Sequence, residues 1–406
     1  MKYTFKDICT KIGSGATPTG GKEAYKGGDY ALVRSQNVLD YTFTTSGRAY
    51  INETQAKKLD GVKIESGDVL LNITGDSVAR ACIIPDEILP ARVNQHVAII
   101  RANNQYALNE YLLYFLQYNK QYLLSISQGG GTRSAITKKM IEDIEIDLPS
   151  IEDQLTIVNI INSISKKIEV NQQINDNLEQ QAEALYKSWF VDFEPFKDGK
   201  FIESELGQIP EGWRIYTLNE LMDIKRGSSP RPIQSYLSET GLKWLKISDA
   251  TSCSSPFIYE IQEHIKSEGL RNTVYLQKGA LVLSNSATPG LPKILGIDTC
   301  IHDGWLYFPI SKLSNPFMYL MFIKFRENLI SQANGSVFMN LKTEIVKNLK
   351  IALPKREIIE QFDLIISSVF NEIRNRTEEM LNLSKQRDTL LPKLMSGEIK
   401  INEIDC

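Results

Sequence analysis

The sequence predicts an α+β protein in which two pseudo-repeated globular domains, β-rich with some helices, are separated by two long antiparallel coiled-coil helices. Three observations point there. The chain is written twice, four segments recur in the same order, and after each copy the apolar period lengthens from 2 to about 3.5. The expected boundaries are 1–148 for the first domain, 149–195 for a central helical spacer, 196–353 for a linker with the second domain, and 354–406 for a C-terminal spacer pairing with the central one.

Leu32-Val33-Arg34-Ser35-Gln36-Asn37-Val38 aligns with Trp244-Leu245-Lys246-Ile247-Ser248-Asp249-Ala250 at an offset of 212, and Ile64 to Asn72 aligns with Leu276 to Ser284 at the same offset. Each copy reads as short apolar strands broken at Gly and followed by a polar loop. Glu110 to Phe115 matches Pro316 to Met321 at 206, within stretches (Tyr106 to Ile126, Asn315 to Ile330) expected to be amphipathic helices. A small-residue loop follows each, Gly129 to Arg133 and Asn334 to Ser336. Ile144 to Pro149 matches Leu349 to Pro354 at 205. The drift in offset is what a few loop deletions produce.

After each Leu-Pro a helical seam begins. One row carries Ile157, Ile164, Asn171, Leu178 and Leu185, and the row three later carries Ile160, Lys167, Ile174 and Gln181. The second copy has Ile359, Ile366, Ile373, Met380, Arg387 and Leu394 beside Phe362, Val369, Arg376, Leu383 and Leu390. Apolar rows over several heptads need a partner, and the partner of matching length is the other helix. Polar members of the seam, Asn171, Lys167, Arg376 and Arg387, are candidates for fixing register.

Composition bounds the function. The 406 residues carry 23% charged and 42% hydrophobic side chains, as in an ordinary folded protein. No apolar run reaches the roughly 18 residues of a membrane helix, and Asp7 interrupts the place where a signal sequence would begin, so a cytoplasmic protein is expected. Five single cysteines and three scattered histidines form neither a zinc motif nor a disulfide framework. By segment the net charge is +1 over 1–148, −6 over 149–205, +4 over 206–353 and −2 over 354–406. Nucleic acid would favour the two neutral-to-basic blocks and avoid the acidic one between them.

Four features resemble the specificity (S) subunit of type I restriction-modification systems, across the whole chain. The first helix ends Ala184-Leu185-Tyr186-Lys187-Ser188-Trp189-Phe190-Val191-Asp192-Phe193-Glu194-Pro195, and the second copy opens Gly207-Gln208-Ile209-Pro210-Glu211-Gly212-Trp213. The second helix ends Leu390-Leu391-Pro392-Lys393-Leu394-Met395-Ser396-Gly397-Glu398-Ile399, and each domain closes in Leu-Pro before a glutamine-bearing helix start, at Gln154 and Gln361. The first copy departs from the pattern in lacking the Ile-Pro-Glu-Gly-Trp preamble. The resemblance implies two target-recognition domains, each reading one half of a bipartite asymmetric site on double-stranded DNA. It implies a subunit that has no catalytic centre and binds no cofactor itself. Its partners would be two modification subunits that methylate adenine with S-adenosylmethionine, and, where the system restricts, two restriction subunits that use ATP and Mg.

The rival readings are a self-sufficient methyltransferase or nuclease, and a coiled-coil scaffold that binds no DNA. Catalytic motifs are incomplete. Asn315-Pro316-Phe317 is one proline short of an adenine-methyltransferase turn. Gly21-Lys22 is followed by Glu23 where a phosphate loop has Ser or Thr, and Pro85-Asp86 has no downstream Glu-x-Lys at Glu110. The DNA-reading candidates are polar residues in loops at strand ends, where Arg and Lys can read guanine and Asn and Gln adenine. In the first copy they are Arg34, Gln36, Asn37, Asn72, Thr74, Arg80, Asn94, Gln95 and Arg133. In the second they are Lys225, Arg226, Arg231, Lys246, Ser248, Asn285, Thr288, Lys293 and Asn340.

Overall fold

The computed structural model describes residues 2–25, 27–128, 134–332 and 340–400. They form two units: the described residues up to Lys167 together with those from Leu383 onward, and Ile168–Asn382. Each unit holds one copy of the repeat and part of both long helices.

The same framework recurs in both. Lys2–Thr4 pairs antiparallel with Glu145–Asp147, Tyr3 opposite Ile146; Arg214–Thr217 pairs likewise with Lys350–Leu353, Tyr216 opposite Ile351. A capping box starts the next helical turn. The backbone N–H and hydroxyl of Thr4 donate to Asp7 Oδ2 at 2.9 and 2.6 Å, and those of Thr217 donate to Glu220 Oε2 at 2.7 and 2.8 Å.

In the first unit an antiparallel sheet runs Cys9–Ser14, Val97–Ala102, Val69–Asn72, Ala81–Ile83, and a second sheet runs Ala49–Ile51, Tyr30–Val33, Ala91–Val93. The second unit repeats the first order as Lys225–Arg226, Trp305–Tyr307, Leu281–Ser284, Pro292–Leu295, adding Phe257–Ile258. Its other sheet runs Leu237–Ser238, His264–Ile265, Leu242–Leu245, Thr299–Ile301, Val274–Leu276. Tyr30–Val33 lies parallel to Ala91–Val93, and Leu242–Leu245 parallel to Thr299–Ile301.

The unbroken apolar runs have a structural cause. Val69 and Leu71 face one core while Leu70 faces another, and Leu281 and Leu283 are divided from Val282 in the same way. A strand buried on both faces cannot alternate apolar with polar.

Where one helix was expected over Tyr106 to Ile126, two form, Asn109–Tyr118 and Lys120–Ser127. Asn119 breaks them, its Nδ2 donating to the Phe115 carbonyl at 2.9 Å. The second copy keeps one helix, Asn315–Gln332.

The long helices span Ile151–Phe190 and Arg356–Met395, 40 residues each. Gln154, fully buried, ties the first to its domain: Oε1 accepts from Leu108 N–H at 3.0 Å and Nε2 donates to the Tyr106 carbonyl at 2.9 Å. Gln361 is exposed, and the tie in the second unit is instead Ser314 Oγ donating to Asp363 Oδ1 at 2.6 Å. The aromatic run at the end of the first helix forms a knot in the second unit, with Phe190 at 4.8 Å from Phe362 and 4.9 Å from Phe317 between ring centroids.

Of the expected seam, Ile157, Asn171, Ile366, Ile373 and Leu394 are buried, while Ile164, Leu178, Leu185 and Met380 are half-buried. The second row holds at Phe362, which is wholly buried, and is displaced by one residue elsewhere. Ile161, Asn175 and Ala182 are buried, whereas Lys167 and Gln181 are exposed, and on the other helix Phe370, Thr377 and Leu391 lie inside. The buried residues alternate by three and four, and the step is four after Ile157, Asn171, Ile366 and Ile373 but three from Ile359 to Phe362.

The expected polar register devices meet within the second unit. Arg376 Nη1 donates to Asn171 Oδ1 at 3.0 Å, and Asn171 Nδ2 donates to Glu379 Oε2 at 2.8 Å. One turn along, Asn175 Nδ2 donates to Thr377 Oγ1 at 3.1 Å. In the first unit Arg387 lies 3.8 Å over the Tyr41 ring. Asn171 is wholly buried, so Asn171→Ala removes the partner of a charged group on the facing helix. We expect it to lower the unfolding free energy in urea by about 1–3 kcal/mol, with part of the loss recovered when Arg376→Leu is added.

Candidate nucleic-acid interface

Parallel pairing decides where the polar loops go. Val33 sits beside Val93 and Leu245 beside Ile301. In each unit two strands therefore end together and release two loops at the same sheet edge.

In the first unit these loops are Arg34 to Asn37 and Asn94 to His96. Asn37 is wholly buried. Its Oδ1 accepts from Arg34 N–H at 3.1 Å, and its Nδ2 donates to the Thr44 and Ser46 carbonyls, each at 3.1 Å. Asn72, also wholly buried, donates from Nδ2 to the Ser35 and Val38 carbonyls at 2.9 and 3.2 Å. Both amides hold the turn, and neither has a donor hydrogen left to offer a base. Arg34 Nη2 and Gln36 Nε2 converge on the Gly47 carbonyl.

Asn94 Oδ1 accepts from His96 N–H at 3.0 Å, and Thr74 Oγ1 lies 2.6 Å from His96 Nδ1. Gln95 Nε2 is 2.9 Å from His96 Nε2, while Gln95 Oε1 is buried with no hydrogen-bond partner among the described residues. Arg80 is half-buried, its carbonyl accepting from Asn72 N–H at 2.8 Å. Arg133 lies outside the described residues, as do the two small-residue loops.

The second unit repeats this geometry with other side chains. Lys246 N–H donates to Asp249 Oδ2 at 2.9 Å, so Asp249 caps the turn as Asn37 does. His302 Nδ1 accepts from Gly304 N–H at 2.8 Å, as Asn94 does from His96. The residue after each is then equivalent, Gln95 in one unit and Asp303 in the other.

Four sequence candidates gather at this turn. Arg226 Nε donates to the Asp303 carbonyl at 2.5 Å, as does Asn285 Nδ2 at 3.3 Å, and Arg231 Nη2 reaches Asp303 Oδ2 at 3.3 Å. Lys246, paired with Glu263 at 3.2 Å, joins Trp244, Ser229, Arg231, His302 and Asp303 around a cleft of about 670 Å³. Ser229 Oγ donates to Asp303 Oδ1 at 2.7 Å, and this bond holds the Asp303 carboxyl below the usual carboxylate range. Burial pushes the His302 imidazole down to about 4, so it is neutral at pH 7.

Of the remaining candidates, Lys225 and Ser248 are exposed, and Ser284 Oγ donates to the Thr288 carbonyl. Asn340, exposed, precedes Leu341, whose N–H donates to the Asn285 carbonyl at 2.7 Å. Lys293 is apart from them. It is buried, and its Nζ donates to the Cys253 and Ser255 carbonyls at 2.7 and 2.5 Å.

Lys293 bears on a titration in the second unit. Burial, with Asp176 and Glu183 adding to it and Lys293 opposing, raises the Glu179 carboxyl from 4.5 to about 7. The native state then holds this proton after the unfolded chain has released it. Its stabilising effect is present below about pH 4.5 and is lost as pH rises toward 7. Glu179→Gln is expected to flatten the fall in stability across that window, seen in urea midpoints at pH 5 and pH 7.5.

Asp303, His302 and Ser229 were not among the sequence candidates. A usable signal was the glycine before each first loop. A Cβ on Gly15 would lie 1.7 Å from the Val93 carbonyl oxygen, and one on Gly227 would lie 2.2 Å from that of His302. Both glycines let this segment press on the strand-end turn, and they stand at the 212 offset. Gly15→Ala and Gly227→Ala should each destabilise their own unit by about 1–3 kcal/mol, measurable as earlier protease cleavage confined to that unit.

Among the described residues no group of three or more His, Cys, Asp or Glu is placed to hold a metal ion, and no helix is long and apolar enough to cross a membrane.

Comparison with known proteins gives a consistent outcome. The family model for the type I restriction modification DNA specificity domain matches residues 1–180 and 210–383. The MjaIX specificity subunit of Methanocaldococcus jannaschii, a type I restriction enzyme subunit, is 26% identical over 98% of this chain and 93% of its own length. The HindI specificity subunit of Haemophilus influenzae is 26% identical over 85% of this chain and 88% of its own. In fold, the S subunit of a type I restriction-modification system from M. genitalium matches with a TM-score of 0.57 at 14% identity, covering 97% of this chain and 95% of that one.

Proposed function

The chain belongs to the family of type I restriction modification DNA specificity domains, and on that premise we propose that its two units each read one half of a bipartite, asymmetric DNA site for a complex that modifies and restricts DNA. The observation that supports this best is the repetition of one strand-end frame with unlike side chains. Arg34 and Gln95 occupy it in the first unit, Lys246 and Asp303 in the second. An amide both donates and accepts, whereas a carboxylate only accepts, so the two frames suit different bases.

The chain contributes recognition and no catalytic group. Its partners are duplex DNA, two modification subunits that carry S-adenosylmethionine, and restriction subunits that use ATP and Mg. Its place is the cytoplasm, where the DNA and those subunits meet. Arg and Lys at the loop rims contact phosphates and set position, and the groups inside the loops meet base edges.

Methylome sequencing of cells with and without this chain tests the reading. The expected result is a chain-dependent adenine motif in two specified parts that differ from one another. A palindromic motif, or no change on deletion, would overturn it. Replacing residues 1–148 with the corresponding segment of another family member should change one half of the motif and leave the other; a change in both would show that the units are not independent readers.

A further inference from the structure

We propose that Asp303 is a specificity-determining residue of the second unit, selecting a base with an exocyclic amino group, adenine or cytosine, at one position of the half-site which that unit reads. This rests on the DNA-reading role proposed above and names its chemistry.

The turn that carries Asp303 is held from several sides. It joins Thr299–Ile301 to Trp305–Tyr307, the first of which ends beside Leu245. Arg226 and Asn285 both donate to the Asp303 carbonyl, and Ser229 fixes Oδ1. His302 is locked by the Gly304 N–H, and a Cβ on Gly304 would lie 2.2 Å from the His302 ring. A carboxylate fixed in this way is positioned before any ligand arrives.

The chemistry of the cleft separates a base from a phosphate. A phosphate cradle is built of donors. This cleft carries the Asp303 carboxylate among its walls, and a carboxylate repels phosphate. In the major groove the donors open to an acceptor are the N6 amino group of adenine and the N4 amino group of cytosine. An aspartate is ionised, and therefore an acceptor, at neutral pH, and the Ser229 bond holds this carboxyl below the usual carboxylate range.

Oδ2 is the atom left to do the reading. Its partner is Arg231, at 3.3 Å with a side chain 78% exposed. An exposed pair of this kind is weak, so Arg231 can leave Oδ2 for a nearby phosphate at small cost. The free chain thus stores its reader under an exposed arginine, and DNA draws the two apart. In the first unit Gln95 holds the equivalent position, with a buried Oε1 that has no partner among the described residues.

The test uses the complex assembled with its modification subunits. Wild type, Asp303→Asn, Asp303→Ala and Ser229→Ala are each selected against duplexes randomised at every position of both half-sites. The expected result is that Asp303→Asn and Asp303→Ala lose about ten-fold or more of the discrimination at one position of the second half-site. Preferences in the first half-site should stay as in wild type, which also reports on folding within the same chain. Ser229→Ala should give a smaller loss at the same position. Replacing the selected base by purine, or by 2-pyrimidinone, should weaken wild type and leave Asp303→Asn little affected. Unchanged preferences in both Asp303 variants would overturn the proposal, and so would a uniform loss of affinity with preferences intact. If the wild-type complex shows no sequence preference at all, the DNA-reading role itself fails, which is a distinct result.

Discussion

The parallel pairing of two strands in each unit is the constraint on which the rest depends. Parallel neighbours cannot be joined by a tight turn and need a long crossover. Here the crossover supplies a central strand of the other sheet, Val69–Asn72 in one unit and Leu281–Ser284 in the other. The same pairing brings two C-terminal strand ends to one edge, where the loops after them share hydrogen bonds. Asn94 N–H donates to the Val33 carbonyl at 3.0 Å, which fixes the second loop directly against the first. A glycine, Gly15 or Gly227, is needed beside each paired edge because there is no room for a side chain.

That edge stays rigid because the central strand is buried on both faces. Val69, Leu70 and Leu71 are wholly excluded from solvent, as are Val282 and Leu283. Truncating such a side chain costs about 2–5 kcal/mol, so the strand's position is strongly determined, and with it the loops it supports. Asn72 sits at the last residue of this strand and extends the same control outward by holding the carbonyls of Ser35 and Val38. The interior thereby specifies the geometry of a polar rim it does not itself reach.

The repeat, the domain-closing strands and both long helices were legible in the sequence, because each is written as a periodic or recurring apolar pattern. The helix break at Asn119 was not, since it turns on one side-chain bond to the Phe115 carbonyl. Apart from Phe362, the seam's second row was misplaced by one residue because a step of three and a step of four look alike until burial distinguishes them at Ile160 and Ile161. Polar loop residues were harder. Asn37, Asn72 and Lys293 have the composition of DNA readers, yet their donors turn inward to backbone carbonyls. Asp303 was missed for two reasons. The offset between copies has drifted from 212 to 208 by that turn, so Gln95 and Asp303 do not line up in a fixed register. An acidic residue also does not look like part of a DNA surface until its bonds to Ser229 and Arg231 are seen.

The division of the long helices between the two units has a consequence for synthesis. Ile168–Asn382 is one continuous stretch, so the second unit can fold once that stretch has left the ribosome. The first unit is assembled from distant parts of the chain, because Ile157, Val158 and Ile161 share a core with Leu391 and Leu394. It stays unfinished, with apolar helix surface uncovered, until Leu391 and Leu394 have been made. The unit encoded first is therefore the one completed last, and a chain broken off shortly after Asn382 would carry a finished second unit beside an open first one.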